Sequence, residues 1–152
     1  MLDVGDKAPA FTLTNDNGDA VSLDSLLTDG PLILYFYPAD FTMVCTAEAC
    51  EIRDRHEDIR AVNARIVGIS PQGEQSHSRF RERYELPFPL LCDPDKQVIR
   101  AYGVDGPMGF GVRRVTYLIG TDRIIQQRVL ADFAVRHHME FIDQVVEDLG
   151  NY

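Results

Sequence analysis

Apolar residues in this chain fall into two alternating patterns. Pro31 to Tyr37 reads Pro-Leu-Ile-Leu-Tyr-Phe-Tyr, a continuous apolar and aromatic run that suits a strand buried on both faces and closed by Pro38. Arg65-Ile66-Val67-Gly68-Ile69-Ser70 is a second run of this kind, followed by the turn residues Pro71-Gln72-Gly73. Between them, Ala47 to Ala64 predicts a charged helix. Ile52, Ile59 and Val62 mark its apolar stripe, and Glu51, Arg53, Asp54 and Arg55 face water. A strand, a helix and a strand joined by a right-handed crossover become parallel neighbours.

The flanking segments extend this unit. Phe11–Thr14 and Ala20–Leu23 alternate about Asn15-Asp16-Asn17-Gly18-Asp19 and predict a β-hairpin, with a short helical turn starting at Asp24 or Ser25. Glu74 to Tyr84 predicts a surface helix with Phe80 and Tyr84 one turn apart. Phe88–Cys92 is a short strand limited by Pro87 and Pro89. Asp93-Pro94-Asp95 then turns into a helix that runs through Tyr102 and ends at Gly103. Val112–Ile119 and Ile124–Leu130 pair as a hairpin about Gly120-Thr121-Asp122-Arg123, and Val135–Leu149 carries Met139, Ile142, Val145, Val146 and Leu149 at helical spacing. The order predicts one α/β domain over residues 1–152, with a mixed sheet covered by helices.

Composition narrows the class. A chain of 152 residues is long enough to bury a core without disulfide staples. A net charge of −9 and a pI near 4.8 argue against a nucleic-acid backbone or an anionic membrane as partner. No run approaches the ~20 apolar residues of a membrane span, and the first residues lack a basic and apolar leader, so the expected location is the cytoplasm. Other chemistry-bearing patterns are weak. Gly106-Pro107-Met108-Gly109-Phe110-Gly111 leads into a strand and lacks the Lys-Ser/Thr of a phosphate loop. Asp93 and Asp95 lack the further carboxylates of a calcium loop. His137 and His138 diverge by ~100° on a helix, which suits a solvated helix start better than a metal pair.

The remaining chemistry lies in the cysteines. Cys45 falls in the first turn of the helix after the central strand, where free N–H groups and the positive dipole end favour an anionic sulfur. Thr42 is placed either to cap that helix or to set its hydroxyl beside the sulfur. Strand alternation sends Arg113 and Arg114 to opposite sides.

Pro38, Thr42 and Cys45, preceded by Tyr35-Phe36-Tyr37 and followed by Thr46-x-Glu48-x-x-Glu51, resemble the active-site segment of a peroxiredoxin. Cys50 makes the segment similar to the Q-type, or bacterioferritin comigratory protein, branch, which usually has Pro-Gly where this chain has Met43-Val44. The likeness continues through Phe88-Pro89-Leu90-Leu91, Asp93-Pro94-Asp95 and Arg114-Val115-Thr116-Tyr117-Leu118-Ile119.

The resemblance implies a thioredoxin-like fold with an N-terminal hairpin extension. It also implies a cofactor-free, metal-free thiol peroxidase acting on hydrogen peroxide and organic hydroperoxides, recycled by thioredoxin or a glutaredoxin-like donor, as a monomer or homodimer. In it Cys45 is the attacking sulfur, Thr42 and Arg114 are donors, Pro38 shields the sulfur and Glu48 orients Arg114. Cys50 is then the nearest resolving thiol. Five residues along a helix is a rise of ~7.5 Å, so a Cys45–Cys50 bond requires the first turns to unwind. Cys92 is read as a structural thiol, with resolution by Cys92 or by an external thiol kept as alternatives. Two other readings are a thiol–disulfide oxidoreductase, which lacks its usual Cys-x-x-Cys, and a redox-sensing binding protein switched at Cys45. Phe41, Met43, Met108 and Phe110 are candidates for an apolar collar or a dimer contact.

Overall fold

The computed structural model describes residues 1–151; Tyr152, included in the one-domain expectation, lies outside the described residues. The elements follow as β1 (Thr12–Asn15), β2 (Ala20–Ser22), α1 (Leu23–Leu26), β3 (Leu32–Phe36), α2 (Met43–Ala61), β4 (Arg65–Ser70), α3 (Glu74–Tyr84), β5 (Leu90–Cys92), α4 (Gln97–Ala101), β6 (Val115–Ile119), β7 (Ile125–Leu130) and α5 (Val135–Gly150). The strands form one sheet in the order β2-β1-β5-β4-β3-β6-β7. β3, β4 and β5 run parallel through their helical crossovers, while the β1–β2 and β6–β7 hairpins pair antiparallel at the two sides. This is the mixed-sheet, thioredoxin-like arrangement with an N-terminal hairpin.

β3 lies inside the sheet between β4 and β6 and feeds both faces, as its unbroken apolar run requires. Leu32, Leu34 and Phe36 enter one core with Phe11, Leu23, Ile99, Tyr102 and Tyr117. Ile33, Tyr35 and Tyr37 enter the other with Ile52, Phe80 and Ile142 from α2, α3 and α5. The second core contains Cys45, so the nucleophile candidate sits on the face covered by the three long helices.

Several boundaries shift for local reasons. α2 starts at Met43 rather than Ala47, because Met43-Val44 contains no glycine or proline to delay it, and ends at Ala61 rather than Ala64 as Asn63 turns to φ 61°. β5 is trimmed to Leu90–Cys92, since Pro87 and Pro89 have no N–H for a ladder. β6 begins at Val115, because Val112 bridges back to Asp105 and leaves the sheet.

One glycine is required by packing. Gly68 pairs with Tyr35 across β3 and β4, and a Cβ at position 68 would lie 2.7 Å from Tyr35 Cζ. The Tyr35 ring is buried beneath α2 and stacks on Tyr37 at 5.3 Å, so it has no free direction in which to yield. Gly68→Ala is expected to destabilise the fold by about 1–3 kcal/mol, the usual range for overpacking. The midpoint of thermal unfolding measures it, and an unchanged midpoint would show that the ring can move aside.

Candidate active site

β3 ends at Phe36, and the chain turns over Pro38 and Asp40 into α2. Thr42 occupies the N-cap position, where its carbonyl accepts the Thr46 N–H at 2.8 Å. Its hydroxyl, expected at the helix end or beside the sulfur, instead donates back to Ala39 O at 3.1 Å. No side chain caps the helix, and the N–H groups of Met43, Val44 and Cys45 have no hydrogen-bond acceptor among the described residues. Helix starts leave such donors unused, and here three of them gather around the first turn.

Cys45 is 2% exposed and receives a hydrogen bond from Arg114 Nη2 at 3.1 Å. The guanidinium arrives just before β6 and is held from several sides. Arg114 Nη1 donates to Glu48 Oε1 at 2.7 Å and Nε donates to Asp132 O at 3.0 Å. The Arg114 backbone donates to Asp132 Oδ1 and accepts from Ala131 N, both at 3.1 Å. Burial works against the Arg114 charge, but Glu48 and Cys45 outweigh it and raise its pKa above the ordinary value. Arg113 turns the other way and forks onto the Asp132 carboxylate.

Glu48 is fully buried on the next turn of α2. Its Oε2 has no hydrogen-bond partner and faces His138 Nδ1 at 3.7 Å. Burial pushes this carboxyl up to about 7, against the opposing charge and hydrogen bond of Arg114. Burial also holds His138 below its ordinary value. A neutral imidazole fits both contacts, with Nε2–H donating to Ala131 O at 2.8 Å and Nδ1 accepting from Thr116 Oγ1 at 2.8 Å. His138 is therefore not the solvated helix start expected from its sequence context: α5 turns it into the space between β6 and Glu48.

Sequence reasoning missed Thr116 and His138 here, and Asp40 and His77 on the opposite side of the turn. The signal in each case is a polar residue at a core-facing position of its element, which pattern alone reads as surface.

The cavity beside Cys45 has a volume of about 710 Å³ and is lined by Pro38, Thr42, Met43, Val44, Phe110 and Arg114, among others. Met43 and Phe110 stand at its mouth as an apolar collar, 89% and 78% exposed, joined by Phe133. Phe41 and Met108 are also exposed but do not line it.

Cys50 lies half-buried on the same unbroken helix as Cys45, turned from it by ~140°. Cys92 sits at the end of β5, buried, with Sγ 3.9 Å from Asn15 O, and burial pushes its thiol up to about 11. All three cysteines are free thiols. No group of three or more His, Cys, Asp or Glu side chains among the described residues is arranged to hold a metal ion, and no described helix is long and apolar enough to cross a membrane.

Comparison with known proteins places this geometry among relatives. Residues 4–128 match the AhpC/TSA family. Peroxiredoxin Bcp of Bacillus subtilis (strain 168) is 34% identical over 156 aligned positions, covering 98% of each chain. Chloroplastic peroxiredoxin Q of Oryza sativa subsp. japonica is 36% identical over 95% of this chain and 67% of its own length. The crystal structure of peroxidoxin BcpB from Mycobacterium tuberculosis superposes with a TM-score of 0.90 at 34% identity, over 99% of this chain and 98% of that one.

The raised Glu48 pKa has a defined thermodynamic sign. The folded chain binds this proton more tightly than the unfolded chain, so its contribution is full below the unfolded carboxyl value of 4.5. It is lost as pH rises through about 7. The loss amounts to roughly 3 kcal/mol across that window. His138, held low, contributes in the opposite sense. Glu48→Gln removes the carboxyl titration alone, so urea unfolding between pH 5 and pH 8 is expected to fall less steeply in the variant than in the native chain. Equal slopes would mean that Glu48 is ionised throughout.

Proposed function

We propose, for a chain that belongs to the AhpC/TSA family in its Bcp and peroxiredoxin Q branch and is therefore a thiol-dependent peroxidase, a cycle in which Cys45 is the attacking sulfur and Cys50 the resolving one. Peroxides are its oxidising substrates and thiols such as thioredoxin its reductants. The observation that carries the residue assignment is the Arg114 guanidinium on Cys45 Sγ at 3.1 Å, with the sulfur placed in a first turn of α2 whose N–H groups are unused.

In the first step the Cys45 thiolate attacks the outer peroxide oxygen in line. An S–O bond forms, the O–O bond breaks, and the departing oxygen takes up a proton and leaves as water or an alcohol. Arg114 and the helix-start N–H groups hold the peroxide and meet the charge that moves onto the leaving oxygen. Pro38 walls the cavity and limits water at the sulfur. Glu48 fixes the second arm of Arg114. Thr42 contributes through its backbone at the N-cap, and its hydroxyl is available to the peroxide only after it leaves Ala39 O.

In the second step the Cys50 thiol condenses with the Cys45 sulfenic acid. The S–S bond forms and the sulfenic oxygen departs as water with the thiol proton. Both sulfurs lie on one helix, so the start of α2 must unwind first. A dithiol donor of the thioredoxin or glutaredoxin type then exchanges with the disulfide and returns both thiols. Cys92, buried behind β1 with its thiol pushed up to about 11, is a poor competitor for this role. The apolar collar of Met43, Phe110 and Phe133 supports organic hydroperoxides as substrates beside hydrogen peroxide. A cytoplasmic setting suits an enzyme that must be reduced in every cycle.

Steady-state peroxide consumption coupled to thioredoxin, thioredoxin reductase and NADPH tests the cycle. Cys45→Ser is expected to abolish turnover, and Arg114→Ala to lower kcat/KM about 100-fold. Cys50→Ser should abolish the intramolecular disulfide while Cys92→Ser preserves it. Disulfide formation lost in Cys92→Ser instead would reassign the resolving thiol.

A further inference from the structure

On the side of the turn away from Arg114 lies a second buried polar cluster that the peroxidase chemistry does not use. The Asp40 side chain is 1% exposed, yet its carboxylate has three side-chain partners. Tyr37 OH donates to Oδ1 at 2.6 Å, Ser76 Oγ donates to Oδ2 at 2.7 Å, and His77 Nδ1 meets Oδ2 at 2.6 Å. His77 Nε2 reaches Leu91 O at 3.0 Å. A carbonyl has no proton to give, so Nε2 carries one, and the Nδ1–Oδ2 contact holds another between imidazole and carboxyl. Gln72 clamps the same turn by its amide: Oε1 accepts from Asp40 N at 3.0 Å and from Ser70 Oγ at 2.7 Å, and Nε2 donates to Pro38 O at 3.1 Å.

This anchoring stops abruptly. Tyr37, Pro38 and Asp40 are tied to β4 and the start of α3. From Phe41 to Val44, by contrast, no backbone hydrogen bond among the described residues reaches another element. Phe41 is in the left-handed region at φ 65°, and only its ring is held, against Phe80 at 5.1 Å and Tyr84 at 6.3 Å. The bolted and unbolted parts of the chain meet at the Asp40–Phe41 peptide.

We propose that Asp40, Ser76 and His77 are positioning residues that latch the turn before Cys45, fixing the upstream end of the segment that unwinds so that Phe41 to Cys50 moves while Tyr37 to Asp40 stays. The inference rests on the Cys45–Cys50 reading above and adds where the motion stops. While the latch is closed, α2 begins from one fixed point. Its first-turn N–H groups and Cys45 Sγ then return to the same place against Arg114 after each reduction. A loosened latch lets the turn drift, which harms the aligned first step and favours the unwound geometry of the second. The two steps should therefore change in opposite directions, which loss of stability alone would not produce.

Rapid mixing of the full reduced chain with peroxide separates Cys45 oxidation from disulfide formation. Asp40→Asn removes the carboxylate charge and leaves one acceptor oxygen for Tyr37, Ser76 and His77, and is expected to slow Cys45 oxidation about tenfold while speeding disulfide formation several-fold. Ser76→Ala removes one donor and should give smaller changes of the same signs, which keeps the test open if Asp40→Asn folds poorly. Both rates unchanged, or both falling together, would overturn the latch. Amide exchange on the native disulfide form supplies the second readout: protection should be lost from Thr46 to Cys50, the first bonded amides of α2, and kept at Asp40 and His77. Loss spreading through Asp40 would also overturn it. If mass spectrometry finds no Cys45–Cys50 bond in the native chain, the resolving assignment fails separately. The latch is then judged on the first step, and stands only if Asp40→Asn still slows Cys45 oxidation.

Discussion

A single buried cation organises the active-site region. Arg114 is 3% exposed and reaches Cys45, Glu48 and the Asp132 carbonyl with different nitrogens. A guanidinium can make this arrangement because its donors are fixed in a planar fork; a lysine ammonium has no such geometry. Burying a charge is costly unless it is paired and fully hydrogen-bonded. Much of the local structure answers that cost: Glu48 is drawn inside, Asp132 folds back over the Arg114 backbone, and His138 closes the far side of Glu48. The result leaves two negative candidates, the sulfur and the Glu48 carboxyl, sharing one positive group. The upward shift of Glu48 to about 7 comes from its burial, which outweighs the opposing charge and hydrogen bond of Arg114.

The turn into α2 is therefore held from opposite sides by networks of different character. On one side a long guanidinium reaches in from β6; on the other a short carboxylate on the turn itself collects a tyrosine, a serine and a histidine. The first network touches the sulfur and the second stops five residues before it. Between them, the first helical turn has exposed side chains, unused N–H groups and few tertiary bonds, which are the features of a segment able to open at low cost.

The order of elements and the candidates that meet at Cys45, Glu48 and Arg114 were both legible in the sequence. A continuous apolar run such as Leu32–Phe36 has few alternatives to a central strand, and the cysteine spacing with its neighbours resembles one family over most of the chain. Less legible were residues whose role depends on which face they present after folding. His138 beside His137, and His77 within a helix of charged residues, look solvated by composition; both are buried because α5 and α3 pack that edge inward. The Thr42 hydroxyl illustrates a different difficulty. Its sequence position allows a helix cap or a place beside the sulfur, but the carbonyl of Ala39 takes the hydroxyl instead, a choice made by the shape of the turn.

The two halves of the site differ in how they are built into the fold. Arg114 directly precedes β6, which pairs with β3 on one side and β7 on the other, so its backbone is set by the most highly connected part of the sheet. Cys45 rides on the start of a helix whose first residues, Met43 and Val44, point largely or partly into solvent. Sequence drift at those two positions thus costs the core little, while it alters both the rim of the cavity and the ease with which the helix frays. The cation is thus a fixed socket and the turn that carries the sulfur an interchangeable fitting: one exposed and one half-buried side chain shape the cavity rim and the helix start, and both can change without redesigning the protein beneath them.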